Sequence, residues 1–77
     1  MIITKGEFTR FGIKGKMQLL TMYGKLLLRT QLNNKQFILY SLFDFYVAVI
    51  TSRQKKYTVI SAEPVTNSIA QFYLLAL

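Results

Sequence analysis

The sequence predicts an α+β, β-rich fold: an antiparallel β-meander of four to five strands with a short C-terminal helix packed on one face. Three observations lead there. Residues 37–51 are apolar or aromatic at every position except Ser41, Asp44 and Thr51. Residues 25–32 alternate in character with period two, and the last ten residues carry a helix-like apolar spacing.

The central segment admits two readings, a membrane helix or a pair of buried strands. As a helix its fifteen residues would rise ~22 Å at 1.5 Å each, short of the ~30 Å hydrocarbon core. Asp44 would then lie mid-membrane at a cost of ~2.5–3.5 kcal/mol. The basic residues give little orientation, with Lys35 before the segment and Arg53, Lys55 and Lys56 after it. Ten of the segment's residues, Phe37, Ile38, Tyr40, Phe43, Phe45, Tyr46, Val47, Val49, Ile50 and Thr51, are β-branched or aromatic, the types that suit a pleated, half-buried surface. The strand reading is therefore preferred. Asp44 becomes a turn residue between two strands joined at Leu42 to Phe45, because Asp bonds its own nearby backbone. Continuous apolarity implies cover on both faces, so these strands should be central.

The flanking segments extend the meander. Lys16 to Met22 reads as a strand, and Tyr23-Gly24 as a turn in which glycine accepts positive φ. In residues 25–32, Leu26, Leu28, Thr30 and Leu32 share one face, while Lys25, Leu27, Arg29 and Gln31 share the other. Asn33-Asn34 then makes a tight hairpin into Gln36–Phe43. The polar run Ser52–Lys56 reads as a second hairpin loop before a strand from Tyr57 to Ala62, which Glu63-Pro64 ends because proline lacks a ladder donor. Ser68-Ile69-Ala70-Gln71 matches a capping box, and Ile69, Phe72, Tyr73 and Ala76 follow as the packing stripe of a helix too short to stand alone. Residues 1–16, with three glycines and four basic residues, are expected to be a partly ordered basic tail or arm, although Ile2, Ile3, Phe8, Phe11 and Ile13 would also suit a strand or a weakly docked arm. Residues 17–77 form the single domain, and Met17 offers an alternative start that would make the tail dispensable.

A chain of 77 residues with 52% apolar or aromatic side chains can collapse, but its core is small. With no cysteine, packing or a partner must supply the stability. One helix covers part of one sheet face, so the opposite face needs the tail, a second copy or another protein; self-association is the preferred expectation. The absence of a secretory pattern makes the cytoplasm the default location.

The chemistry is sparse. Without His or Cys, the commonest transition-metal ligands, neutral-pH acid–base groups and thiol nucleophiles are missing. Glu7, Asp44 and Glu63 are the only acids, and nothing in their spacing pairs them. Gly12 to Lys16 lacks P-loop spacing. The expectation is no enzyme, no cofactor, no metal and no small-molecule substrate.

The net charge of +7 favours anionic partners. In an up-and-down meander, alternate loops share a sheet end, which gathers Lys35, Arg53, Lys55 and Lys56 into a candidate anion or nucleic-acid patch. Tyr57 could stack on a base there, and Arg29 or Lys25 could extend the patch along the strand. The bland reading is a pair of solvated loops whose charges inhibit edge aggregation. The aromatic pattern of an RNA-recognition sheet is absent.

The stretch from Phe37 to Ile50, with Leu39-Tyr40 followed by Phe45-Tyr46-Val47, resembles a line in short uncharacterised bacterial proteins that reads Leu-Tyr and then Phe-Tyr-Val-Glu-Val. The similarity covers residues 24 to 77, and Tyr73-Leu74 echoes the end of their helix. Ala48 stands where that pattern has Glu. The resemblance implies a β-meander before a short helix and implies no activity. The expected function is a small noncatalytic interaction or accessory protein acting through self-association or a protein partner. A nucleic-acid-binding module is the alternative, and a small membrane-associated protein the weaker one.

Overall fold

The computed structural model describes residues 2–56 and 58–75, with the backbone alone of Leu32 and Lys55. The elements are α1 (Lys5–Thr9), α2 (Ile13–Tyr23), β1 (Lys25–Leu32), β2 (Lys35–Leu42), β3 (Phe45–Ser52), a 3₁₀ turn (Arg53–Lys55), β4 (Thr58–Val65) and α3 (Asn67–Leu75). The strands form one antiparallel sheet in the order β1-β2-β3-β4. The expected meander and C-terminal helix are present, with four strands.

β3 shows how the sheet is used. Phe45, Val47, Val49 and Thr51 are buried, while Tyr46, Ala48, Ile50 and Ser52 are half-buried, as period-two alternation requires when both faces are covered. The first face packs with Phe8 of α1 and Leu20 of α2 in a core completed by Ile38, Leu42 and Ala62. The second packs under α3, where Ala70 is buried against Leu28, Phe37 and Leu39. The molecule is thus three layers, with α1 and α2 on one face of the sheet and α3 on the other.

That arrangement corrects the reading of the first twenty-three residues. In place of a tail over 1–16 and a strand over Lys16 to Met22, the chain forms two helices. Thr4 caps α1: its hydroxyl accepts the Glu7 N–H at 3.1 Å, and Glu7 Oε1 accepts the Thr4 N–H at 2.9 Å, a reciprocal capping box. The Thr4 N–H, and then its hydroxyl, hold the Glu7 carboxyl below its ordinary value. In α2, Lys16 to Leu20 are all helix formers without branching at Cβ. Phe8 is fully buried, edge-on to Phe45 with ring centroids 5.8 Å apart. Burial of such a side chain contributes about 1.5–3 kcal/mol. Phe8 belongs to the main core, so α1 packs as part of the same body as the sheet. The sheet face that argued for a second copy is covered from within the chain.

Smaller departures have local causes. Gly24 has φ of −82°, not positive; glycine is needed because a Cβ would lie 2.6 Å from the Leu20 carbonyl oxygen. A bulge between Leu26 and Leu28 splits the expected leucine face, since Leu26 pairs with Tyr40 while Leu28 pairs with Leu39. Both two-residue hairpin turns have positive φ at their first residue, Asn33 (56°) and Phe43 (54°). Asp44 does lie in the turn, but Phe43 takes the unusual conformation. Its ring packs against Tyr23 at 5.6 Å, which offsets a backbone cost of about 1–3 kcal/mol. Pro64 does not end β4 but sits within it, paired with Val47, as an edge strand permits.

At the last helix Thr66, not Ser68, supplies the cap: its hydroxyl accepts the Ile69 N–H at 3.2 Å. The buried line is Ala70, Tyr73 and Leu74, whereas Ile69 and Phe72 face outward. Ala76 lies outside the described residues. The helix is apolar almost all round, so spacing did not select its packing face. Small Ala70 permits close approach to the sheet, and Tyr73 meets Phe37 with ring centroids 4.5 Å apart.

One ion pair ties the layers together. Lys16 is buried on α2, with Nζ 3.0 Å from Glu63 Oε1 on β4 and 5.7 Å from the centre of the Phe8 ring. The Lys16 side chain is 7% exposed and that of Glu63 60%, so water already screens half of the pair. Glu63→Ala should cost about 1–2 kcal/mol by leaving the ammonium unpaired, whereas Lys16→Met should cost less than about 1 kcal/mol or stabilise. Urea denaturation of both variants checks this, and a larger loss for Lys16→Met would contradict it.

Candidate functional site

The β1–β2 turn and the β3–β4 connection lie at the same end of the sheet. The Arg53 N–H donates to the Asn34 carbonyl at 2.8 Å, and Lys35 pairs with Ser52 across β2 and β3. These contacts bring the two loops together as the meander topology anticipates. Lys35 opens β2, Arg53 opens the 3₁₀ turn, and Lys56 closes it in a left-handed conformation with φ of 53°. All three are exposed. Among the described residues none of them forms an ion pair, while Lys16 does.

The remaining expected residues are less tightly gathered. Arg29 is exposed on β1 but pairs with Ile38, on the face covered by α1 and α2. Lys35 shares a face with Phe37, under α3, because residues two apart on a strand point the same way. Arg29 is therefore on the opposite face from Lys35. Lys25 pairs with Ser41 at the far end of the sheet and does not extend the patch. The Lys55 side chain and the whole of Tyr57 lie outside the described residues. The described cluster is Lys35, Arg53 and Lys56.

The acids lie elsewhere. Glu7 is bonded within its capping box, Glu63 is paired with Lys16, and Asp44 occupies the turn at the other end of the sheet. Among the described residues no acid neutralises the cationic end, and its field on an approaching anion is screened by salt over ~8 Å at physiological ionic strength. Thr51, next to this end, has a buried hydroxyl with no hydrogen-bond partner among the described residues. It packs as an aliphatic side chain would.

The structure adds three surfaces that sequence reasoning missed. At the Asp44 end, an open cleft of about 410 Å³ is lined by Thr4, Lys5, Asp44, Phe45, Thr66, Asn67 and Ser68. Its one cation and one anion give it no net preference for charge. On the outer side of α2, an apolar groove of about 170 Å³ runs past Phe11, Gly15, Leu19, Met22 and Tyr23. The outer side of α3 carries Ile69, Phe72 and Leu75, exposed by 46%, 69% and 81%. The last was legible as the leftover side of an almost wholly apolar helix, once its packing face was known.

Among the described residues no cluster of His, Cys, Asp or Glu could hold a metal, and no helix is long and apolar enough to cross a membrane. No protein-family model matches the chain, and comparison with curated proteins and with solved structures finds no significant match.

Proposed function

We propose that the protein is a small noncatalytic interaction or accessory module, acting through self-association or a protein partner at the outer face of α3. The observation that carries this is the row Ile69, Phe72, Leu75, solvent-facing on a helix whose other side is already buried. Single exposed apolar residues are ordinary on a protein surface, but a contiguous row on one helix face is the form in which helix-recognition surfaces occur. The module reading is also supported by a side-chain inventory without His or Cys and by the structural uses of Glu7 and Glu63. A cytoplasmic setting belongs to the same proposal, in keeping with a chain that needs no disulfide.

Phe72→Ser tests the reading. It should leave stability within about 0.5 kcal/mol, as a surface substitution does, while reducing binding of a hydrophobic dye severalfold. A wild type that binds no dye and sediments as a monomer at every concentration would count against the reading. So would a loss of stability above about 2 kcal/mol, which would make Phe72 a core residue.

A second reading, a basic nucleic-acid-binding module, is favoured by the bond between Arg53 and Asn34, which sets Lys35, Arg53 and Lys56 at one end. Contacts of this kind would go to phosphate and fall steeply with salt. Titration with labelled single- and double-stranded oligonucleotides at low and physiological salt should then show binding that weakens with salt and is reduced in a Lys35→Gln/Arg53→Gln variant. No salt-sensitive binding at micromolar protein removes this reading.

A further inference from the structure

The row on α3 runs toward the cationic end of the sheet. α3 begins beside the β2–β3 turn, since Val65 before it pairs with Tyr46. It runs back along the sheet until Tyr73 meets Phe37 at 4.5 Å. Lys35 lies two residues beyond Phe37 on the same face of β2, and the Arg53 N–H bonds to Asn34 beside it. A path along the outer side of α3 from Ile69 to Leu75 therefore leads toward Lys35 and the loop that carries Arg53 and Lys56. The row itself spans ~9 Å at the α-helical rise.

From this placement we infer that the occupant of the α3 face is an amphipathic helix of another protein, with apolar residues along one side and carboxylates clustered at one end. The inference rests on the interaction reading above and names the chemistry of the partner. Ile69, Phe72 and Leu75 present an i, i+3, i+6 ridge, which fits the groove between side-chain rows of a second helix. About two turns of that helix cover the ridge, and one more turn places its acids over Lys35 and Arg53.

Charge decides against a second copy of this chain. Each copy carries +7 and has only Glu7, Asp44 and Glu63 as acids. Glu7 is bonded in its cap and Glu63 is paired with Lys16, which leaves Asp44, at the end of the sheet where α3 begins, as the one acid that a two-fold antiparallel pairing of α3 helices would bring to the cations. A second copy thus sets a single carboxylate against Lys35, Arg53 and Lys56, whereas a segment with several carboxylates matches them and gains on-rate and register from the match.

A displayed library of amphipathic helices tests this, with leucine on one side and Glu, Gln or Lys drawn equally at every polar position. Selection on the wild-type protein should enrich Glu toward one end of the helix. Selected peptides should bind about tenfold or more weakly to Phe72→Ser, as expected of a central apolar anchor, and also lose affinity for Lys35→Glu/Arg53→Glu with a reduced salt dependence. Peptides that depend on Phe72 but show no preference for Glu would overturn the acidic partner and leave the interaction reading standing. If no peptide depends on Phe72, the interaction reading falls with it. A dimer abolished by Phe72→Ser, or oligonucleotide or anionic-vesicle binding that needs Phe72 together with Lys35 and Arg53, would overturn the choice of an acidic protein helix.

Discussion

Two strands that are apolar on both faces need cover on both faces, and the rest of the molecule follows from that requirement. β2 and β3 occupy the middle of the sheet, and every residue of β3 is at least half-buried. A sheet four strands wide can meet the demand only as the middle of a sandwich. The chain supplies one layer from each end: α1 and α2 before the meander, α3 after it. Each cover is too short to be stable as an isolated helix, so neither exists without the sheet, and the sheet cannot remain soluble without both.

The two covers are held by different means. Under α3 the contact is side-chain packing, with Ala70 admitting the helix close to Leu39 and the Phe37 ring meeting that of Tyr73 at a tilt of 35°. Beneath α1 and α2 the fully buried Phe8 and Leu20 fill the core, and Lys16 reaches Glu63 on the edge strand. This ion pair links the first half of the chain to the last strand across the whole length of the meander.

The meander was legible because its signals are local. Period-two spacing, Asn33-Asn34 and the two-sided apolarity of residues 37–51 each specify a strand or a turn by themselves. The neighbourhood of the Asn34 and Arg53 loops followed from topology alone. The N-terminal layer was harder. Thr4 and Glu7 spell a capping box, but glycines and lysines around them imitate a mobile arm, and five residues of helix carry too little periodicity to outweigh that composition. Lys16 to Leu20 consists of good helix formers, yet so short a mixed segment does not separate strand from helix. The packing face of α3 was hidden because nearly every direction around that helix is apolar. It became decidable only when Phe37 and the small size of Ala70 were placed in space.

Because α1 and α2 cover the sheet, the case for a partner no longer rests on a bare sheet face. It moves to the outer side of α3 and to the cationic end toward which that helix runs. This relocation holds only if the N-terminal helices are an integral layer, and chemical denaturation of Phe8→Ala tests that most directly. A core role for Phe8 gives a loss of about 3–5 kcal/mol, enough to unfold much of so small a domain. A loss below about 1 kcal/mol, the behaviour of a loosely docked arm, would contradict the account.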